Sequence, residues 1–230
     1  MALGGIQKNS LIDYPGKISC VLFLSGCNFT CPYCHNPDLV RNTSPVLLEE
    51  TEVYRFLVRR RNFLDGVVLS GGEPTIYPGI ESLLIKIKTI GYPVKLDTNG
   101  SRPLVIKKLL SAGLVDYIAM DIKTDPALYS FFAKYDCESA DILSSIKIIM
   151  NSAIDYEFRT TCVKPFISRP VIEKISSIIR GATLYVLQHF QNKNVLDPDF
   201  FAAEDCRFSE EEMLELKFTA EPFVENCIIR

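Results

Sequence analysis

Strand-like and helix-like segments alternate along most of this chain, and this alternation limits the folds that it can adopt. Short runs rich in β-branched and aromatic residues predict six strands, at residues 18–25, 66–70, 93–98, 117–121, 156–161 and 183–190. Amphipathic segments predict six helices, at residues 49–61, 79–91, 103–112, 140–152, 170–179 and 209–218. Strands that alternate with helices indicate an α/β protein whose parallel sheet is covered by helices.

Six strand–helix units are too few to close the eight-stranded barrel that such an alternation often forms. We therefore predict a partial, open (β/α)6 barrel, although a doubly wound open sheet would show the same alternation. With 230 residues, 47% of them hydrophobic, the chain can bury a large core as one domain. We predict a single domain at 1–230, with a core at about 16–196 and a C-terminal extension at 197–230. Residues 192–207 predict a surface loop, and 221–230 are compatible with one more strand.

The charge and the cysteine content narrow the class of protein. A net charge of −3 provides no basic field for nucleic acid or a membrane surface. No apolar run approaches the roughly 20 residues of a membrane helix, and no secretory leader is recognisable. Eight cysteines in a chain of this size indicate reduced thiols better than a disulfide framework. We expect a cytoplasmic protein with no nucleic-acid or membrane partner.

Three of the cysteines are closely spaced, at Cys27, Cys31 and Cys34. Thiolates suit iron–sulfur clusters, and three of them can hold three irons of a cubane and leave the fourth open. A structural zinc site would need a fourth ligand, and His35 directly follows Cys34, where it is badly placed to complete a tetrahedron. Zinc and plain core cysteines remain the alternatives. The other five cysteines are scattered, and we expect them to be buried: Cys20, Cys137, Cys162, Cys206 and Cys227.

Unusual polar residues follow the predicted strands. Active sites of strand–helix barrels collect at the loops after the strand C-termini, so we expect these residues to share one rim. They are Gly71, Gly72 and Glu73 after the second strand, Asp97 and Thr98 at the third, Asp121 and Lys123 at the fourth, Arg159 in the fifth, and His189 and Gln191 at the sixth.

Their charges require partners. Two aspartates at one mouth are costly unless a cation or a donor lies between them, and an arginine inside an apolar strand needs an anion. Purely structural interpretations remain open: the two glycines could form an ordinary turn, and the aspartates could cap turns. Lys123 could be a solvated surface residue, and His189 could be a core residue.

The spacing Cys-x3-Cys-x2-Cys, with Tyr33 before the last cysteine, resembles the signature of the radical S-adenosylmethionine (SAM) superfamily. The flanking sequences Ser-Leu-Ile-Asp-Tyr-Pro-Gly-Lys at 10–17 and Cys-His-Asn-Pro at 34–37 resemble the glycyl-radical-enzyme activating proteins. Among these, the chain is most similar to the short activators of anaerobic ribonucleoside-triphosphate reductase. The resemblance runs from about residue 5 to about residue 196, and it implies the same open barrel.

The resemblance implies two cofactors. One 4Fe–4S cluster would be held by the three closely spaced cysteines, with SAM bound beside it. The glycine–glycine–glutamate segment would bind the amino group of SAM, with the negative charge of Glu73 facing the ammonium. Tyr33 and Thr98 would also belong to the cofactor site.

The resemblance also assigns the charged residues of the rim. Asp97 with Thr98 and Met120 with Asp121 would build a monovalent-cation site beside the SAM carboxylate. Lys123 would meet that carboxylate or the ribose, and Arg159 would meet it or a rim aspartate. His189 or Gln191 would reach the nucleoside.

The implied activity is that of a radical SAM oxidoreductase. It would cleave SAM reductively to a 5′-deoxyadenosyl radical and form a glycyl radical on a partner enzyme, expected to be anaerobic ribonucleotide reductase. A flavodoxin or a ferredoxin would donate the electron. Two rivals remain: a radical SAM enzyme for a small molecule, related to 7-carboxy-7-deazaguanine synthase, and a non-catalytic iron–sulfur electron-transfer module.

Overall fold

A computed structural model describes residues 3–43, 48–134, 138–202 and 205–230. Within these ranges, eight strands form one sheet in chain order. They are β1 (Leu3–Ser10), β2 (Ser19–Leu24), β3 (Gly66–Gly71), β4 (Val94–Thr98), β5 (Tyr117–Asp121), β6 (Asp155–Cys162), β7 (Tyr185–His189) and β8 (Cys227–Ile229). The first pair is antiparallel and every other pair is parallel. In the described residues the two edge strands do not pair, so the sheet stays open.

Seven α-helices accompany the described strands: α1 (Pro37–Arg41), α2 (Glu50–Arg59), α3 (Ile80–Ile90), α4 (Pro103–Ser111), α5 (Ser139–Met150), α6 (Arg169–Ile178) and α7 (Glu210–Ala220). Local sequence explains several ends. Ser209 accepts from the backbone of Glu212, whose carboxylate accepts from the backbone of Ser209, which closes a capping box at the start of α7. Gly91 ends α3 with φ +104°, a conformation that glycine adopts without strain.

The six predicted strands and six predicted helices are confirmed, with ends displaced by at most a few residues. Strand β1 and the short helix α1 were not predicted, and β8 lies in the tail that was compatible with a strand. The prediction of a surface loop at 192–207 is only partly right, because Val195 and Phe201 are buried. Cys137 lies outside the described residues.

The sheet has two different faces. Its outer face packs against the helices through alternate side chains such as Leu69, Leu96 and Phe158, which are fully buried. A smaller cluster on the inner face consists of Tyr14, Val21, Val68, Tyr117 and Ala119. No helix of the described part of the chain contributes to that inner cluster. These helices therefore cover one face, as in a partial barrel, and not both faces, as in a doubly wound sheet.

The loop that carries Tyr14 packs on this cluster, and Lys95 lies beside it, between Val68 and Tyr117. Towards the C-terminal ends of the strands, the inward positions become polar and line a cleft. No helix in the described ranges has the length and apolar character needed to cross a membrane.

Candidate functional site

A cleft of about 410 Å³ lies at the C-terminal ends of the parallel strands. It is lined by the three closely spaced cysteines, together with Tyr33, Gly71, Gly72 and Thr98. The charged residues Asp97, Asp121, Lys123 and Arg159 also line it. The predicted rim therefore exists, since side chains from five successive strand ends meet in one place.

The thiols of Cys27, Cys31 and Cys34 are free in the described structure. Burial raises the pKa of Cys27 and Cys31 to about 12 and also raises that of Cys34, while the Lys123 ammonium lowers all three. The backbone of Phe29 donates to Cys27 Sγ at 3.4 Å. A metal must displace the thiol protons, and these nearby donors stabilise the thiolates. Three soft ligands on one loop fit an iron–sulfur cluster.

In the described residues, no three His, Cys, Asp or Glu side chains converge as ligands of a single metal ion. A cubane cluster does not require such convergence, because each thiolate ligates a different iron.

Gly71 and Gly72 hold the cysteine loop against β3. Gly72 N donates to Leu24 O at 2.8 Å, and Glu73 N donates to Gly26 O at 2.9 Å. A Cβ at Gly72 would lie 1.9 Å from the Gly26 carbonyl oxygen, and Gly71 has φ +119°. Only glycine permits this approach, so the pair positions the cysteine loop as well as lining the cleft.

The Glu73 side chain does not line the cleft, which differs from its predicted contact with the SAM ammonium. Its carboxylate is 1% exposed and accepts hydrogen bonds from the backbone and hydroxyl of Thr75, from Thr98 Oγ1 at 2.8 Å and from Asn99 N at 2.6 Å. Burial raises the pKa of Glu73, and these donors oppose the rise. The geometry makes Glu73 a residue that joins the loops after β3 and β4.

A chain of buried side-chain amides extends this connection to the cysteine loop. Asn99 Nδ2 donates to Asn28 Oδ1 at 3.0 Å, and Asn28 Nδ2 donates to Ser101 Oγ at 2.8 Å. Ser101 N in turn donates to Asn99 Oδ1 at 3.0 Å. Three loops from distant parts of the sequence thus form one hydrogen-bonded unit around the cleft.

Arg159 lies between the two aspartates of the cleft. Its Nε donates to Asp121 Oδ1 at 2.7 Å, and its Nη1 lies 3.5 Å from Asp97 Oδ1. Lys123 Nζ donates to Asp121 Oδ2 at 2.9 Å. Burial alone would raise the pKa of Asp121, but Arg159 and Lys123 outweigh it and hold that pKa well below its usual range. The arginine has the anionic partner that its position required.

Lys95 is a site residue that the sequence analysis missed. It is 1% exposed, and its ammonium contacts Asp97 from inside the barrel. The signal was available: Lys95 stands two residues before Asp97 in an apolar strand, and alternate residues of a strand share a face. Like Arg159, Lys95 is a cation inside an apolar strand and needs an anionic partner.

Of the four residues predicted for a monovalent-cation site, Asp97, Thr98 and Asp121 line the cleft and Met120 does not. Thr98 Oγ1 donates to Glu73, and Met120 is fully buried in the outer core, where it packs against Gly100. Asp97 and Asp121 face the cleft, but each is already paired with cationic side chains. These side chains do not fit a bound cation.

The end of β7 presents Gln188 to the cleft, whereas the predicted His189 and Gln191 do not line it. Gln188 pairs with Thr161 of β6, which also lines the cleft. His189 Nε2 lies 3.5 Å from the Glu210 carboxylate at the start of α7. Gln191 lies beyond the strand, and its carbonyl contacts His35 Nε2 at 2.7 Å. Because side chains alternate along a strand, Gln188 and His189 lie on opposite faces of β7, and the structure places Gln188 at the cleft.

Tyr33 closes one wall of the cleft. Its ring packs edge-on against Phe132 and at a tilt against Phe166, with centroids 6.0 and 5.6 Å away. Its hydroxyl is buried and has no hydrogen-bond partner among the described residues. An orphaned buried hydroxyl at a cleft wall fits a site that receives a polar ligand.

Asp13 also lines the cleft, although the sequence analysis did not select it as a site residue. It lies in the connection from β1 to β2, next to Leu11 and Ile12, whose side chains are 76% and 84% exposed. A carboxylate therefore lines the cleft, and an exposed apolar pair precedes it along the chain.

The model of the radical SAM superfamily matches residues 21–165 of this chain. A Methanocaldococcus jannaschii protein named "putative glycyl-radical enzyme activating enzyme" is 35% identical over 99% of this chain and 95% of its own length. The 7-carboxy-7-deazaguanine synthase of Haemophilus influenzae is 32% identical over 55% of this chain and 51% of its own length.

The fold is also that of known members of the superfamily. A radical SAM methyltransferase structure from Sphaerobacter thermophilus superposes with a TM-score of 0.71, covering 94% of this chain and 67% of that protein at 15% identity. The open sheet, the cysteine loop at its mouth and the family match agree. This chain belongs to the radical SAM superfamily.

Proposed function

We propose that this protein forms a glycyl radical on a partner enzyme, expected to be anaerobic ribonucleotide reductase. The observation that carries the proposal is the 35% identity, over nearly the whole of both chains, with a protein named for activation of glycyl-radical enzymes. The choice of ribonucleotide reductase rests on the resemblance of residues from about 5 to about 196 to the short activators of that enzyme. A flavodoxin or ferredoxin is the expected electron donor.

The residues of the cleft have separate tasks in this proposal. Cys27, Cys31 and Cys34 would hold the 4Fe–4S cluster. When bound and reduced, the cluster would supply one electron to SAM, and cleavage of the S–C5′ bond would give methionine and a 5′-deoxyadenosyl radical. That radical would take a hydrogen atom from the α-carbon of the partner's glycine, which yields 5′-deoxyadenosine and the glycyl radical.

The charges at the mouth suit the amino-acid part of SAM. Lys123 and Arg159 line the cleft and pair with Asp121 and Asp97, so a carboxylate bound beside them would meet two cationic side chains. Tyr33 would pack against the bound ligand and exclude water.

Asp13 would meet the incoming peptide. Its carboxylate borders the cleft and could accept from a backbone N–H of the glycine loop, while Leu11 and Ile12 offer apolar contact beside it. Such a loop must leave its own fold to enter, so the encounter should be weak and short-lived.

A small-molecule substrate is the second candidate. The similarity to 7-carboxy-7-deazaguanine synthase covers about half of each chain, so it is weaker support than the full-length relative. In that case the cleft itself would hold the substrate beside SAM, and Asp13 would contact that substrate.

The test is anaerobic incubation of the reconstituted, reduced protein with SAM and the anaerobic ribonucleotide reductase of the same organism. We expect a glycine-centred doublet in the electron paramagnetic resonance spectrum and 5′-deoxyadenosine in equal amount. The Asp13→Ala protein should still cleave SAM but form the partner radical slowly. SAM cleavage without a radical on any glycyl-radical enzyme would favour the small-molecule candidate.

A further inference from the structure

Lys95 is a buried cation inside the partial barrel. On β4 it pairs with Tyr117 of β5, and its ammonium lies 5.9 Å from the centroid of the Tyr117 ring. Its contact with Asp97 is the ion pair that compensates its burial. A buried ammonium is costly unless such a partner is present, so this position must be maintained by a specific interaction.

The two aspartates of the cleft already have cationic partners from the chain itself. Asp97 contacts Lys95 and Arg159, and Asp121 contacts Arg159 and Lys123. The nearby buried Glu157 has its own partner, because Arg230 Nη1 lies 3.1 Å from it.

A monovalent ion at these aspartates would have to displace an ammonium or a guanidinium. It would also approach three cationic side chains, and repulsion between like charges is strong in a partly buried site.

We propose that Lys95 supplies, as part of the fold, the positive charge that a bound K⁺ or Na⁺ would supply beside Asp97. SAM binding by this protein then requires no monovalent metal ion. Lys95 acts through Asp97, so it is a positioning residue. This inference rests on the proposed binding of SAM in the cleft.

The test is the dissociation constant of SAM, measured by anaerobic calorimetry on the reconstituted protein in K⁺, Na⁺ or choline buffers of equal ionic strength. For the wild type, the dissociation constants of SAM in the three buffers should agree within about twofold. Loss of one charge-assisted contact typically weakens binding about ten- to a hundredfold, and we expect this for Lys95→Met and Lys95→Ala in choline. K⁺ or Na⁺ should restore much of the loss in Lys95→Ala, which leaves room for the ion.

Lys108→Met is the matched control. Lys108 is exposed and pairs with Glu81 on the outer helices, so its replacement should leave SAM binding unchanged. Circular dichroism establishes that each variant is folded, and if neither Lys95 variant folds, the wild-type series in the three buffers decides.

Wild-type binding that weakens tenfold or more in choline would overturn the inference while leaving SAM binding intact. Folded Lys95 variants that bind SAM like the wild type in choline would also overturn it, as would weakened binding in Lys95→Ala that neither ion restores. Absence of SAM binding in every buffer would instead overturn the cofactor assignment, and this inference with it.

Discussion

Glu73 and Lys95 illustrate what single residues contribute to this site. Both are charged, both are 1% exposed, and each is stabilised by partners that the chain itself supplies. The sequence placed Glu73 correctly after a strand, but its donors Thr98 and Asn99 lie 25 and 26 residues further along the chain. No local pattern reveals that these donors already occupy the carboxylate.

The first prediction concerns the cluster ligands. Replacing Cys27, Cys31 or Cys34 by alanine should abolish cluster assembly and SAM cleavage, because each thiolate would hold a different iron. Iron and sulfide analysis after anaerobic reconstitution measures this. Cys227→Ala is the control, since that buried cysteine lies in β8 and should be dispensable. A Cys31→Ala protein that retained about four irons per chain would contradict the assignment.

The second prediction separates Glu73 from the ligand. Glu73→Ala leaves buried donors unsatisfied, so it should lower the free energy of unfolding by at least about 2 kcal/mol, measured by urea denaturation. Glu81→Ala removes an exposed carboxylate on α3 and should change it by less than about 1 kcal/mol. A Glu73→Ala protein of normal stability with weak SAM binding would instead support a direct contact with the ammonium.

The third prediction concerns acid stability. The folded pKa of Asp121 lies below that of the unfolded chain, about 3.9, because Arg159 and Lys123 outweigh the effect of burial. Charged Asp121 therefore stabilises the folded state above this pH, and this contribution is lost as the pH falls through the folded pKa. In cluster-free protein, the free energy of unfolding should fall more steeply below about pH 4 for the wild type than for Asp121→Asn. Equal slopes would mean that Asp121 is not stabilised in its charged form.

At the scale of elements, strand–helix alternation was sufficient to predict six strands and six helices, because each element has its own hydrophobic period. It was insufficient for β1, an antiparallel edge strand whose segment contains Gly4 and Gly5 and whose middle is exposed. It was also insufficient for the facing of β7. Which alternate set of side chains points inward depends on pairing with β6, and this register is a tertiary property.

The fourth prediction tests that facing. Gln188→Ala should weaken SAM binding about two- to tenfold, the usual effect of losing one neutral hydrogen bond. His189→Ala, one residue along the strand, should bind SAM like the wild type because His189 faces Glu210 on α7. Calorimetric titration of both proteins measures the difference. The opposite ranking would show that the nucleoside contact lies on the other face of β7.

At the scale of the whole molecule, an open sheet with helices on one face leaves a mouth where three loops are joined by buried hydrogen bonds. The cysteine loop and the charged residues of the cleft lie at this mouth, and the family model matches the part of the chain that contains the three cysteines. The sequence motif predicted the chemistry, because ligand type and spacing are local. The partner is not encoded locally, since a transient encounter depends on the surface of both proteins.

Transfer of hydrogen from the partner's glycine is the most direct test of the central claim. The ribonucleotide reductase of the same organism should be prepared with α-deuterated glycine and incubated anaerobically with the reduced protein and SAM. We expect one deuterium in each 5′-deoxyadenosine, detected by mass spectrometry, and a narrowed glycyl-radical signal in the electron paramagnetic resonance spectrum. If SAM is cleaved but 5′-deoxyadenosine carries no deuterium with this or any other glycyl-radical enzyme, activation of such enzymes is not the function of this protein.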